Sequence, residues 1–569
     1  SGQNNTALGH SALKGFTTGV RNIAVGDQAA YRLTTGNYNV AIGDTSLAAA
    51  GMSGNHNVVL GYYAGGQISS GEDNIALGRN SLAYSTTAND NIAIGQYASH
   101  RTGQYIAATN TIAIGRFSGY HNQGSYNVFM GYYAGHGSSA NAMSPGVSNV
   151  GIGSSALQSF RSGSQNTAVG RHALLSNIDG SDSTAIGQQA GAYTTGSYNT
   201  FVGSKAGHGV NNHPVHSSGE NNVAVGYEAL KGFTTGKRNV AIGYQAAVAS
   251  TTARDNVIIG YEAGHDITST VEAVIIGAYA GSKLNSADAN GTIVIGMNAL
   301  STATDAIRNV MIGYEAGVKL KTDDNIGIGF RAMRNIGDTA GSNHGEFNIA
   351  IGTFALGGGD SSTYANNTAY KNIAIGYATL NGATTAMTAY ENVAIGFAAM
   401  NAARESIGSV AIGNSAGRYA TGSYNTFVGS EAGKGGVDDV PYSSGINNTA
   451  VGYNALKSFT TAGGITAVGF ESLLNLSTGI ANSGFADRTL RALTTGTYNT
   501  ALGNQAMENT VDGDRNTAVG YQAGGYFLND YSTAVGFNAG KTASGSHNTF
   551  VGNEAGLGGG GTSAPYSSG

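Results

Sequence analysis

Along the chain a polar residue, usually Asn, precedes an aliphatic or β-branched residue, a small residue, a second aliphatic residue and a glycine. The unit Asn-β-Ala-β-Gly-x-x-Ala, with β a branched or aliphatic residue, recurs about 31 times at intervals of about 17 residues. Asn5-Thr-Ala-Leu-Gly9, Asn22-Ile-Ala-Val-Gly26, Asn239-Val-Ala-Ile-Gly243 and Asn516-Thr-Ala-Val-Gly520 are representative. Apolar residues at alternate positions share one side of an extended chain, the period of a strand with that face buried, and their branching favours strand over helix. The residue between them is mostly Ala (Ala7, Ala24, Ala41, Ala224, Ala501), so the opposite face is expected to be closely approached and both faces covered.

A glycine such as Gly9, Gly26 or Gly43, kept in every copy in this frame, predicts a backbone position with positive φ or close approach. The small residue three positions later (Ala12, Ala29, Ala64, Ala134, Ala173), with Asp487 as exception, predicts a second short strand with little room. Two short strands and two turns fill about 17 residues. The expected fold class is therefore all-β, a parallel β-solenoid: a flattened two-sided β-roll of about 31 coils, on the order of 150 Å long. Asn22, Asn39 and their equivalents are expected to stack as an amide ladder. A coil this thin has a poor core, which predicts lateral association through the Ala face, most simply as a homotrimeric fibre.

The array is punctuated. Phe replaces the central Ala at Phe129, Phe201, Phe427 and Phe550, and each is followed by Ala-Gly and a Gly/Ser-rich insert. The four prolines, Pro145, Pro214, Pro441 and Pro565, lie in those inserts, where a missing backbone donor does least harm. After each internal insert the next coil reads Ala-Leu-x-x-Phe, as does the first coil, Ala12 to Phe16. Four blocks of one continuous solenoid result: 1–145, 146–217, 218–443 and 444–569. Ser568-Gly569 stands in the phase of Ser1-Gly2, which predicts a cut from a longer array or head-to-tail stacking of subunits. One coil, read as Ile480-Ala-Asn-Ser-Gly484, departs from the pattern.

Composition narrows the function. Charged residues are 11% of the chain, against roughly 25% ordinarily, and the net charge is -5 without a Lys/Arg run, which argues against nucleic acid and anionic membranes as partners. Cysteine is absent, and no apolar run is long enough to insert into a membrane. Catalytic strings dissolve into the repeat: Gly413-Asn-Ser-Ala-Gly417 resembles a nucleophile elbow, but sister coils place Gln189, Lys205 or Glu431 at the Ser415 position. His213, His216 and Glu220 have metal-compatible spacing on one insert, yet such residues are usually solvated, so no metal and no cofactor is expected. No enzymatic activity is expected either. The position after the motif glycine is aromatic in many coils, and Tyr62, Tyr132, Tyr227, Tyr244 and Tyr261 are ligand-binding candidates that could stack on sugar rings. Mutual stacking is the competing reading.

The repeated aliphatic-Gly-x-x-Ala unit, as in Asn91-Ile-Ala-Ile-Gly95 to Ala98 and Asn166-Thr-Ala-Val-Gly170 to Ala173, resembles the head repeats of trimeric autotransporter adhesins over essentially the whole chain. Similar arrays occur in phage tail-fibre-like proteins. The resemblance implies a trimeric β-roll at a cell or virion surface, outside the cell. The expected function is a non-enzymatic adhesin or tail-fibre shaft giving reach and attachment, with a self-assembling filament as the alternative. Expected partners are copies of the chain itself and a cell-surface glycan or host receptor.

Overall fold

The computed structural model describes residues 2–100, 108–138, 144–210, 216–285, 290–304, 306–336, 345–357, 369–382, 388–436, 442–526 and 530–557. The chain comprises two compact units, Ser1–Ala287 and Asp288–Gly569. Both are built from the same coil, and the fold is an all-β parallel β-solenoid. Among the described residues there are 31 strands, each of three residues, one per coil. Within each unit successive strands pair in parallel and in register, so Ile23, Ala24 and Val25 lie beside Val40, Ala41 and Ile42.

The strand faces the opposite way from the sequence expectation. Its central residue points inward and is fully buried, as at Ala24, Ala41 and Ala224, whereas the branched neighbours point outward: Ile23 is 41% exposed and Leu60 47%. The two sides of the coil approach so closely that Ala is the side chain that fits between them. The Ala face is therefore the core, and it is unavailable for association between subunits.

The far side of the coil is a ladder of tight turns rather than a second regular strand. Residues two and four places after the motif glycine, such as Gln28 and Ala30 or Asn80 and Leu82, adopt left-handed φ near +50°. In place of strand pairing they form coil-to-coil backbone bonds, such as Leu47 N to the Ala64 carbonyl at 3.0 Å, and isolated parallel bridges such as Leu33 with Met52. The motif glycine turns the chain with φ of +132° at Gly26; a Cβ there would lie 2.7 Å from the Gly43 carbonyl carbon.

Core volume is exchanged between these two sides. A small strand centre accompanies a large residue four places after the motif glycine, as in Ala76 with Leu82, Ala168 with Leu174 and Ala394 with Met400. Ile258, Ile275, Met311 and Phe201 instead face Gly264, Gly281, Gly317 and Gly207. A Cβ on Gly317 would lie 2.7 Å from Met311 Sδ, so the larger centre fills the space its partner vacates.

The Asn residues form the expected ladder. Asn39 Nδ2 donates to Asn22 Oδ1 at 3.1 Å and Asn57 Nδ2 to Asn39 Oδ1 at 3.0 Å, while the backbone N–H of each donates to the same oxygen.

The irregular coil is shifted by two residues from the reading Ile480–Gly484. Its strand is Ser483–Phe485, following Asn482, with Gly484 at the buried centre and Ala486 in the motif-glycine position at φ +106°. Ala486 lies 17 residues after Gly469, so the period survives where the glycine does not. The small residue three places on is Thr489; Asp487 is not an exception to that position.

Candidate functional surface

The outward surface of each coil carries side chains that stack on their counterparts in adjacent coils. At the position after the motif glycine, Tyr227 and Tyr244 stack at 5.3 Å and 16°, and Tyr244 and Tyr261 at 5.0 Å and 7°, with Tyr279 edge-on to Tyr261. Their exposures of 42, 41 and 45% come from ring edges and hydroxyls, because the facing surfaces cover one another. A sugar ring has no open face on Tyr244. The equivalent position in the second unit stacks Tyr377 on Phe397 and Tyr453 on Phe470. Tyr62 and Tyr132 are not joined to the Tyr227–Tyr261 ladder; Tyr132 contacts Tyr133 edge-on at 4.4 Å and Tyr62 lies 6.5 Å from Tyr63.

Positions two and five after the motif glycine form a second strip. In one stretch it carries the aromatic side chains Tyr97, Phe117 and Tyr133 beside His100, Tyr120 and His136. Tyr97 and Phe117 stack at 5.2 Å, and Tyr120 lies between His100 at 5.0 Å and His136 at 5.1 Å with nearly parallel rings. His121 sits edge-on to Tyr120 and to His136. Burial, then the nearby His121, lowers the His100 pKa to about 4. Burial also lowers His121 and His136, the latter against its hydrogen bond to the Gly137 carbonyl.

Elsewhere the strip is ionic. Glu228, 6% exposed, accepts Lys231 Nζ at 2.9 Å, Lys205 Nζ at 3.2 Å and Gln245 Nε2 at 3.0 Å. Burial opposes its ionisation, but these donors outweigh burial and hold its pKa at about 2. Glu315 with Arg331 and Arg334, and Glu471 with Arg488 and Arg491, repeat the arrangement.

Each internal insert closes on one serine. Ser144 Oγ accepts the Ser138 N–H and donates to the Phe160 carbonyl at 2.8 Å. Ser217 likewise joins Val210 to Phe233, and Ser443 joins Gly436 to Phe459. Beneath each clamp the strand-centre Phe packs on the Phe of the following coil: Phe129 on Phe160, Phe201 on Phe233 and Phe427 on Phe459, at 5.4, 5.9 and 5.6 Å. Phe550 is partly buried at the centre of its strand. The serine clamp went unread in the sequence, although Ser217-Ser-Gly and Ser443-Ser-Gly mark it.

Ser415 is a buried left-handed turn residue whose N–H donates to the Phe397 carbonyl, which is a structural role. His216 stacks on Tyr193 at 6.0 Å; His213 lies outside the described residues, as do Pro214, Pro441, Pro565, Ser1 and Ser568-Gly569. Among the described residues no group of three or more His, Cys, Asp or Glu is placed to hold a metal ion, and no helix is long and apolar enough to cross a membrane. The architecture defines the class, a short-coil parallel β-solenoid repeat protein. No family model matches the chain, and no curated protein matches it either.

Proposed function

We propose that the chain is a non-enzymatic shaft segment of an extracellular fibre, an adhesin or a tail fibre, built from copies of itself associated side by side. The observation that carries this reading is the outward face of the strands, whose third residue is apolar in every described strand. In each unit the residue before the motif-glycine position forms a continuous apolar column, and beside it the first strand position runs through aliphatic stretches interrupted by Thr and Ser; Ile23, Val58, Leu60, Ile186, Ile351, Ile412 and Leu502 are each more than a third exposed. An apolar surface of that extent marks an association site, and copies of the same chain supply a matching one. Resemblance to adhesin head repeats favours three copies.

Sedimentation equilibrium on the purified chain tests the reading. Three times the chain mass supports it, and a stable monomer over the accessible concentration range rejects it. Asp at both outward positions of several adjacent strands, for example Val240→Asp with Ile242→Asp, is expected to give monomers. Binding of the intact fibre to cells or glycan arrays tests attachment, and a fibre that binds neither leaves reach as the remaining role.

A further inference from the structure

The stack around Tyr120 brings three imidazoles together. His100, 7% exposed, has no hydrogen-bond partner at Nδ1. It stacks on Tyr120, contacts Tyr84 and Tyr97 edge-on at 5.0 Å, and shares Tyr120 with His136. His121 stands 5.2 Å from His136. Among the described residues, the charged groups shown against the rings of the cluster are cations, Arg116 at 4.8 Å from the Phe117 ring and Arg79 at 5.9 Å from Tyr97. The titratable groups beside them are the phenols of Tyr84, Tyr97, Tyr120 and Tyr133.

The sequence around the cluster removes the usual remedy for a buried positive charge. Residues 91–178 contain no Asp, Glu or Lys, but four Arg and four His. Protonation of the imidazoles therefore adds like charges to a segment that is already cationic. The contrast within the protein is direct: Lys434 occupies the His136 position of the coil centred on Phe427, and it has a carboxylate partner, Glu431, at 3.3 Å.

We propose that the coils carrying strands Ile92–Ile94, Ile112–Ile114 and Val128–Met130 form an acid-operated release point beside the insert that leaves at Gly137. Near neutral pH the uncharged imidazole and phenol rings hold these coils closed. Acidification charges the imidazoles, which repel one another and draw water, and the strip opens while coils with paired charges stay shut. The Gly137 carbonyl bonds His136 Nδ1 at 3.1 Å and the Ser144 N–H donates to the His121 carbonyl at 3.3 Å, so loosening reaches the base of the insert.

Hydrogen exchange followed by mass spectrometry on the purified full chain, corrected for intrinsic rates, tests this at about pH 7 and about pH 4.5. The expected result is a loss of protection of at least about tenfold in peptides from 91–138, with peptides around Tyr227–Tyr261 unchanged. H100Q/H121Q/H136Q should abolish that difference. Equal protection of 91–138 at both pH values overturns the proposal, as does the same loss in the triple variant. Should the variant not fold, the imidazole NMR titration of the unsubstituted chain decides: midpoints below the ordinary histidine value support the switch, and midpoints at or above it reject it.

Discussion

Asn57 Oδ1, fully buried, accepts both the side-chain amide of Asn74 at 2.9 Å and its backbone N–H at 3.2 Å. Asn74 Nδ2 also donates to the Ala88 carbonyl at 2.7 Å, and Asn74 Oδ1 accepts the side-chain amide of Asn91 at 3.0 Å. One side chain thus satisfies polar groups in three successive coils. Asn74→Ala is expected to cost about 3 kcal/mol, because the buried Ala88 carbonyl and the Asn91 donors lose their partner. Hydrogen exchange should show the loss confined to neighbouring coils; a variant as protected as the parent would remove the ladder from the account of stability.

Ala486 sits at φ +106° in a position that glycine holds in the neighbouring coils, at +132° in both Gly469 and Gly503. Ala486→Gly is expected to raise stability by about 1 kcal/mol by relieving backbone strain. Thermal unfolding provides the measure, and a lowered midpoint would show that the strain is absorbed elsewhere.

The exchange of core volume predicts coupled substitutions. Ala224→Phe should destabilise by overpacking against Leu230, by about 2 kcal/mol. Adding Leu230→Gly should recover most of that, as in the natural pair Phe201 and Gly207, so the two effects are non-additive. A double variant no better than the sum of its parts would refute the exchange.

Glu228 supplies a second pH dependence, separate from that of the histidines. Its pKa falls from 4.5 to about 2 on folding, so its contribution is complete above 4.5 and is lost as pH falls toward 2. The shift corresponds to at most about 3 kcal/mol. Exchange protection around Gly226 should drop across that acid window, and Glu228→Gln should show no such drop.

Tyr244→Ala should cost about 1 kcal/mol and weaken the near-ultraviolet dichroism of the ladder, since it removes two stacked contacts. Simultaneous replacement of Tyr227, Tyr244 and Tyr261 by Ser is expected to leave glycan binding unchanged. Abolished binding would return the ladder to the ligand-binding surface.

The period, the strand and the Asn ladder were legible because each follows from residue type at a fixed spacing. The side of the strand that faces inward was not, because alternation sorts residues into two sets without saying which set is enclosed. Ile23 and Val25 suit an outward β surface as well as a buried one, and only the narrowness of the coil gives the core to Ala24. The frame at Ala486 was missed because glycine was followed in preference to the 17-residue period. Left-handed residues such as Leu82 and Gln28 carry no compositional mark, since the coil-to-coil bonds impose their φ. His100, Tyr120 and His136 all stand five places after a motif glycine, a register whose residue type varies from coil to coil, and the long carboxylate-free stretch was the further sign of their stack.

The Asn ladder has a sense as well as a spacing. In the described rungs the later coil brings the donors and the earlier coil holds the oxygen, as Asn22 does to Asn5 and Asn91 to Asn74. A finished coil therefore presents a fixed acceptor to whichever coil is synthesised next. Assembly can advance from the N-terminal side one coil at a time, each step templated by the last, without waiting for distant parts of the chain.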